Sequence, residues 1–250
     1  MSKATLFTLP GSHPGTSIEL MLRFKRIEHR RIDLLPAAHR PLLRLAGFPG
    51  NTVPALRFNG ERLQGSIEIA RALDRLVPEP PLLPPEGDPR REAVLEAERF
   101  GEAELQHPVR QIIWWLLARD RSTLATYMER ANLPAKELAA KTAAPLVLAS
   151  ARLNDATDEN VRARLARLPE QLDRLDAWVE EGVIGGETPN AADFQIAPSI
   201  LLAMSMEDLR PAIEGRPIGA AARRVDPDFP GRLKAGLPPE WLEPLRAAAS

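Results

Sequence analysis

The chain of 250 residues contains no cysteine. This absence excludes disulfides, thiolate metal sites, redox cysteine pairs and a cysteine nucleophile carried by the protein itself. Any sulfur chemistry therefore requires sulfur from a bound molecule. The four histidines lack the spacing of a metal site, and the sequence has neither a Walker loop nor a dinucleotide glycine fingerprint. We therefore expect no metal and no nucleotide cofactor.

An excess of charge of one sign is also lacking, since 33 Lys and Arg face 34 Asp and Glu, for a formal net charge of -1. Without a positive field, binding of nucleic acid through its phosphates is not expected. The sequence lacks the ~18 consecutive apolar residues of a membrane span and the apolar core of a signal peptide. These features predict a soluble cytoplasmic protein with no membrane partner, and 44% hydrophobic residues are typical of a globular chain.

The first third of the chain predicts a small α/β unit. A strand over 5–9 leads into a turn rich in proline and glycine, and then into a helix over about 14–26. Alternation around Ile32 and Leu34 predicts a second strand, which a right-handed crossover places parallel to the first. Asn59-Gly60, between two short alternating runs, predicts a hairpin with a type I′ turn.

Prolines crowd residues 78–89, which indicates a stiff connector between two domains, one over 1–77 and one over 90–250. The second domain is helix-patterned throughout, beginning with a long helix that Pro108 should kink. Further prolines predict an irregular tail. The other predicted helices cover 138–153, 161–180 and 191–206.

Three motifs, in this order and at this spacing, resemble those of glutathione S-transferases. They are Thr-Val-Pro-Ala-Leu at 52–56, Leu-Gln-Gly-Ser-Ile-Glu-Ile at 63–69 and Thr-Pro-Asn-Ala-Ala-Asp-Phe at 188–194. The resemblance covers essentially the whole chain and points to serine- or cysteine-type, bacterial members of the family. It implies an α/β plus all-α fold, with an N-terminal thioredoxin-like domain and a C-terminal helical-bundle domain.

The same resemblance implies where glutathione would bind. Val53 would offer its backbone to the cysteinyl part, beside a cis peptide bond at Pro54. Ser66, at the start of a helix, would receive the γ-glutamyl carboxylate, since a helix N-terminus attracts anions; alternatively, it only caps that helix. Gly65 departs from the Glu or Gln usual in the family, so one contact is missing unless Gln64 or a partner subunit supplies it.

A catalyst of thiol chemistry must stabilise the thiolate, because a thiol of pKa ~8.5 is mostly protonated at neutral pH. A shift of two pKa units requires ~2.7 kcal/mol, which one charge-assisted hydrogen bond and a helix N-terminus can supply. Ser12 occupies the position that serine- or cysteine-type members use, and we predict it as the catalytic residue. Thr16 and Ser17 are alternatives, Thr8 lacks the reach, and Ser12 could instead be a simple helix cap.

The remaining predicted contacts lie around the two ends of the site. The glycyl carboxylate of glutathione is expected near His39 and Arg40, on the segment between the second and third strands. The hydrophobic electrophile is expected between the domains, against His13, Gln111 and Trp115.

The motif at 188–194 predicts a helix start rather than a chemical site. Asn190 is the expected N-cap, and Asp193 should reach back to the Asn190 amide in a capping box. Pro189 should pack against Phe194.

The sequence thus predicts a glutathione transferase-like enzyme that activates the thiol of glutathione for attack on a small hydrophobic electrophile. A glutathione-dependent isomerase or lyase shares the resemblance, and Gly65 favours a non-catalytic binding or regulatory protein as the alternative. Another low-molecular-weight thiol could replace glutathione. By analogy with the family we expect a homodimer.

Overall fold

The computed structural model describes residues 3–35, 39–132 and 136–247. Its four strands are β1 (Ala4–Thr8), β2 (His29–Asp33), β3 (Ala55–Phe58) and β4 (Glu61–Gln64). They form a sheet of order β2-β1-β3-β4. β1 and β2 run parallel, whereas β3 pairs antiparallel with both β1 and β4. The predicted parallel pair and the predicted hairpin are both confirmed.

The turn between β3 and β4 follows from its two central residues. Asn59 has a φ of 48° and Gly60 a φ of 85°, so both adopt the left-handed backbone. A type I′ turn requires positive φ at both positions, and its twist matches that of the flanking strands. Phe58 therefore pairs with Glu61 across the turn, which sets the register of the hairpin.

Three helices accompany the sheet: α1 (His13–Phe24), α2 (His39–Leu45) and α3 (Ser66–Leu76). Their packing follows the alternation of β1. Leu6 belongs to the large core cluster, which includes residues of α1 and α3, whereas Phe7 belongs to a smaller cluster with Leu43 of α2. Successive strand residues point to opposite faces, so helices cover both sides of the sheet. No sequence pattern predicts α2, which has only seven residues.

The proline-rich connector contains no helix or strand over 78–89. It is nevertheless held firmly, because the fully buried ammonium of Lys25 bonds the carbonyls of Val77 and Pro80 at 2.7 and 2.8 Å. The same ammonium lies 2.7 Å from the carboxylate of Asp74. Paired in this way, the buried charge fixes the connector against the end of α1.

The rest of the described chain is predominantly helical. One predicted boundary needs correction: the predicted helix over 138–153 is two helices separated at Ala143, since Pro145 fits only the first turn of a helix. The tail, which was predicted to be irregular, contains no helix over 226–238. The α-helices are α4 (Arg91–Phe100), α5 (His107–Arg119), α6 (Lys136–Thr142), α7 (Ala144–Leu153), α8 (Asp158–Glu180), α9 (Ala191–Met204), α10 (Arg210–Ile213), α11 (Pro217–Val225) and α12 (Glu243–Ala247), with 3-10 turns at Leu124–Met128 and Pro239–Leu242.

A π-helical segment, Gly101–Gln106, joins α4 to α5 just before Pro108. Proline has no N–H for the preceding turn, so the helix widens there, and the predicted irregularity lies one turn earlier than the proline itself. Gly101 lets this segment approach α9, since a Cβ there would lie 2.9 Å from Ile196 Cγ1.

All 14 residues of α9 are buried. Its predicted capping box is confirmed: Asn190 Oδ1 accepts from the Asp193 amide at 3.3 Å, and Asp193 Oδ2 accepts from the Asn190 amide at 2.9 Å. Asp193 also accepts from the Gly185 amide at 2.6 Å. Among the described helices, none has the length and apolar character needed to cross a bilayer.

Candidate functional site

Ser12 lies in the turn from β1 to α1 and caps that helix. Its backbone is extended, with φ -71° and ψ 109°, and its hydroxyl oxygen accepts a hydrogen bond from the Gly15 amide at 3.2 Å. The side chain is half-buried. Accepting from an amide leaves the hydroxyl proton of Ser12 free, and no acceptor for it is found among the residues that the structure describes. Cap and donor are therefore compatible roles.

The neighbouring hydroxyls are differently placed. Thr16 donates its proton to the Ser12 carbonyl at 3.1 Å, and Ser17 is buried and donates to the His13 carbonyl at 3.1 Å. Thr8 is fully buried. Of these four side chains, only that of Ser12 combines partial exposure with a free proton.

Gly15 makes this turn possible for a steric reason. A Cβ at this position would lie 1.8 Å from Thr8 Oγ1, far inside van der Waals contact. The first turn of α1 can therefore pack against the end of β1 only if residue 15 has no side chain.

The Val53-Pro54 peptide bond is cis, as predicted. The loop before it is held by Gln64, whose side chain accepts from the Gly50 amide at 2.6 Å and donates to the Thr52 carbonyl at 3.0 Å. The Pro54 carbonyl accepts from the amide of Gly65 at 3.1 Å, which joins this loop to the start of α3. The side-chain oxygen and nitrogen of Gln64 are thus both bonded to the loop.

At the start of α3, the alternative interpretation of Ser66 as the helix cap is excluded. Gly65 is the N-cap, with φ 89°, so Ser66 is the first helical residue and does not cap the helix with its side chain. Its buried hydroxyl instead accepts from Gln195 Nε2 at 3.0 Å and donates to Glu102 Oε1 at 3.4 Å. A Cβ on Gly65 would meet nothing within 4 Å, so the space beside this helix N-terminus is open.

Glu102 is a site residue that the sequence does not indicate. It is exposed on the π-helical segment and forms no ion pair with any described residue. Its carboxylate therefore stands beside the N-terminus of α3, close to Ser66. No motif marks it, because it is brought there by packing between elements distant in the chain.

His39 and Arg40 begin α2. His39 Nδ1 is buried without a hydrogen-bond partner. Burial, followed by the charge of Arg40, lowers the pKa of the imidazole, against the opposing effect of a hydrogen bond that the imidazole donates to the backbone of Asn51. The contact with Asn51 places His39 beside the loop that leads to Pro54. Arg40 is exposed.

Gln111 and Trp115 do not face the first domain, contrary to the prediction. Gln111 is 1% exposed, donates to the carbonyls of Asn154 and Asp155, and accepts from Arg164 Nε at 2.9 Å. The indole of Trp115 donates to Asp158 Oδ1 at 2.7 Å and packs against Trp241. Both side chains are therefore structural parts of the helical region, and neither is retained as a substrate contact.

His13 is also more enclosed than predicted. It is 3% exposed, and its Nδ1 lies 2.9 Å from Ser199 Oγ on α9. Burial, and then the charge of Arg110, hold the pKa of His13 well below 6.5. Its Nε2 is buried and has no partner. The imidazole is therefore neutral at physiological pH and joins α1 to α9.

Tyr127, the one tyrosine of the chain, closes the other side of the β1–α1 turn. Its Cβ would lie 3.4 Å from a Cβ on Gly11, and its hydroxyl lies 2.7 Å from Ser205 Oγ. Burial raises the pKa of Tyr127 to about 12. The phenol is thus buried and bonded away from the turn, which leaves Ser12 as the hydroxyl exposed there.

Two negative findings limit the chemistry. Within the described ranges, no cluster of histidine and carboxylate side chains could hold a metal ion. A surface cavity of about 450 Å³ beside Trp241 is lined by α8 and the tail, and it includes none of the predicted site residues.

The comparisons with known proteins agree with the fold. Residues 6–81 match the family model of the glutathione S-transferase N-terminal domain. The chain is similar to a glutathione S-transferase from Rhodospirillum rubrum F11, at 17% identity, a TM-score of 0.62, and coverage of 96% of this chain and 99% of that one. It is similar to glutathione transferase F7 from Populus trichocarpa, at 16% identity, a TM-score of 0.61 and 99% coverage of both chains.

A third similar structure is glutathione S-transferase III in apo form, at 17% identity, a TM-score of 0.63, and coverage of 100% of this chain and 98% of that one. No curated protein matches the chain. Together these findings define a protein with the glutathione S-transferase fold. Its N-terminal part is a thioredoxin-like glutathione S-transferase domain with a four-stranded sheet, and its C-terminal part is predominantly helical.

Proposed function

We propose that the protein is a glutathione transferase-like enzyme in which Ser12 stabilises the thiolate of bound glutathione. The observation that carries this proposal is the half-buried hydroxyl at the N-terminus of α1, which accepts from the Gly15 amide and keeps its own proton free. A hydrogen bond accepted from the helix backbone also makes the hydroxyl a better donor.

The energetics of one such donor are sufficient. A hydrogen bond to a charged group contributes ~1.5 to 3 kcal/mol, and a helix N-terminus adds ~0.3 to 1 kcal/mol. Their sum covers the ~2.7 kcal/mol that lowers a thiol pKa by two units. The thiol proton leaves to solvent, the hydroxyl of Ser12 donates to the sulfur anion, and the anion attacks a small electrophile.

The rest of glutathione follows the surface from Ser12 to α3. Val53 offers its backbone to the cysteinyl part beside the cis bond at Pro54. The open N-terminus of α3, at Gly65 and Ser66, receives the γ-glutamyl carboxylate. Because Glu102 has no cation partner among the described residues, its carboxylate receives the γ-glutamyl ammonium and compensates for the side chain missing at Gly65.

The glycyl carboxylate binds at the start of α2, where Arg40 supplies the positive charge and the uncharged imidazole of His39 lies beside it. The proposal includes the division into a thiol-binding domain over 1–77, a connector over 78–89 and a helical domain over 90–250. A homodimer is supported by the resemblance alone, and a cytoplasmic location by the sequence features that predicted it. Light scattering tests the first, since a dimer would have twice the 27.6 kDa of the chain.

A non-catalytic glutathione-binding protein is the second candidate. It is favoured by the hydroxyl of Ser66, which is occupied by Glu102 and Gln195, and by the missing side chain at Gly65. Such a protein would bind glutathione without lowering the pKa of its thiol.

Calorimetry with glutathione, followed by a pH titration of thiolate absorbance in the complex, separates these candidates. The wild-type complex should show a lowered thiol pKa, and Ser12→Ala should bind glutathione but lose the shift. Thr16→Ala is the matched control and should keep it. A normal thiol pKa in the wild-type complex supports the binding protein, and the absence of glutathione binding overturns both candidates and leaves another thiol to be tested.

A further inference from the structure

Arg110, in the first turns of α5, is a cation without a counter-ion. It is half-buried, its Nε is buried, and neither a carboxylate nor any other acceptor bonds it within the part of the chain that the structure describes. Burial alone lowers the pKa of its guanidinium, with no carboxylate to oppose the shift. A charge buried in this way costs folding free energy unless a ligand compensates it.

Every other half-buried arginine that the structure describes has at least one acceptor. Arg31 bonds Glu19 and Asp33, Arg130 bonds both carboxylate oxygens of Asp226, and Arg216 bonds Asp173 and Asp176. Others bond neutral oxygens, namely Arg91, Arg121, Arg164 and Arg210. Arg110 is therefore the exception among the described half-buried arginines, and its lack of any acceptor calls for a reason.

The surroundings of Arg110 offer more donors than acceptors. Gln106, one turn earlier on the same helix face, has a buried Nε2 without a partner. The charge of Arg110 acts on the imidazoles of His13 and His107, so all three basic side chains share one region. Arg164 adds a further positive charge near His107, and Asp155 a negative one.

This region borders the proposed thiolate site, because His13 directly follows Ser12 and leaves its Nε2 buried without a partner. Unpartnered donors around an uncompensated cation favour a ligand that is an acceptor and an anion. Guanidinium binds carboxylate in particular, since two parallel N–H groups match its two oxygens.

We propose that Arg110 binds a carboxylate on the second substrate, so that the enzyme prefers small electrophiles bearing an acid group over neutral ones. This inference rests on the proposed function and narrows its substrate class. It replaces the predicted contacts of a hydrophobic electrophile with Gln111 and Trp115, which lie elsewhere.

The probes are a chloronitrobenzoate and its methyl ester, which differ in the charge that Arg110 would bind and in one methyl group. In the conjugation, sulfur bonds to the ring carbon, the carbon–chlorine bond breaks with its electron pair leaving on chloride, and the thiol proton goes to solvent. The ratio of kcat/KM for acid and ester is measured for wild type, Arg110→Met and the control Arg99→Met, whose arginine is exposed on α4.

The ratio should fall roughly 10-fold or more in Arg110→Met, as expected for loss of a hydrogen bond to a charged group, and stay unchanged in Arg99→Met. Circular dichroism checks that each variant is folded, and Arg110→Lys, which keeps the charge without the planar fork, should give an intermediate ratio. An unchanged ratio in Arg110→Met overturns the assignment. A matching loss of glutathione affinity also overturns it, since Arg110 would then bind a carboxylate of glutathione.

Direct calorimetry of both probes without glutathione separates this inference from the proposed function. The chain has no cysteine, so no protein thiol reacts with the probes. The acid should bind wild type more tightly than the ester does, and Arg110→Met should lose that preference. If glutathione does not bind, the proposed function fails, while the relative affinities of acid and ester still decide the role of Arg110. Equal binding of acid and ester, or no binding of either, overturns that role.

Discussion

The starts of α1 and α3 carry the proposed site, and they solve the same problem differently. Each helix N-terminus exposes N–H groups that need acceptors. At α1, the side chain of Ser12 accepts from the Gly15 amide, which keeps a hydroxyl proton available beside the helix. At α3, the cap is Gly65, which brings no side chain and leaves the N–H groups to a ligand. In the proposed function, the start of α1 donates a hydrogen bond to the sulfur anion, and the start of α3 receives a carboxylate.

Gly15→Ala should cause the largest loss of folding stability, and it would disrupt the start of α1 but not that of α3. The new Cβ would lie 1.8 Å from Thr8 Oγ1, so β1 and α1 must move apart. We expect a loss of stability of about 3 kcal/mol, at the upper end of the usual cost of overpacking. Chemical denaturation measures it, and the second change Thr8→Ala should restore part of the loss. Wild-type stability would show that the turn is looser than its geometry indicates.

Asp193→Ala extends the comparison to a third helix start, that of α9, where the cap stabilises the fold and has no proposed role in binding. It leaves the Gly185 and Asn190 amides without their acceptor, and about 1 to 2 kcal/mol of stability should be lost. Asp193→Asn, which keeps one acceptor oxygen, should lose less. Glutathione affinity should stay at the wild-type level, and a loss of affinity with unchanged melting would contradict this assignment.

Protonation of His13, at the start of α1, should make the stability of the protein depend on pH. Its pKa in the folded protein is depressed below 6.5, so below pH 6.5 the unfolded chain binds a proton that the folded protein does not. Stability should therefore fall as the pH is lowered through this range, by up to ~1.4 kcal/mol per pH unit, and His13 should contribute no slope above it. His13→Asn, whose amide can take the place of Nδ1 beside Ser199, should show a shallower decline. Denaturation curves from pH 7 to 5 measure the difference, and equal slopes would contradict it.

Glu102→Gln probes the start of α3 and should have the smallest effect. The amide keeps the acceptor for Ser66 but removes the charge that would pair with the γ-glutamyl ammonium. Because the pair is exposed, we expect glutathione affinity to fall only about 2- to 5-fold, with the stability unchanged. Glu104→Gln, on the same segment and facing Arg167, is the control for calorimetry. A loss in the control alone would contradict the role of Glu102.

Sequence reasoning succeeded where structure is local. The Asn59-Gly60 hairpin, the cis bond at Pro54 and the Asn190 capping box each depend on a few adjacent residues, and all three are confirmed. Ser66 lies at the start of α3 as predicted, but the alternative in which its side chain caps the helix is wrong, because Gly65 forms the cap with a positive φ that no residue type alone dictates.

The second-substrate region could not be predicted in the same way. Spacing shows which residues share a helix face, but the face that points to the first domain is decided by packing. Gln111 and Trp115 therefore proved to be bonded inside the helical region, while the charge of Arg110, next to Gln111 in the chain, acts on His13. No sequence pattern indicates Glu102 or Tyr127 either, since they reach the site from elements distant in the chain.

The thiol pKa of glutathione bound to wild type and to Ser12→Ala tests the central claim most directly. We expect the thiol pKa to lie about two units below its free value of ~8.5 in the wild-type complex and near that value in the Ser12→Ala complex, with similar glutathione affinity in both. The same thiol pKa in both complexes would contradict the role of Ser12.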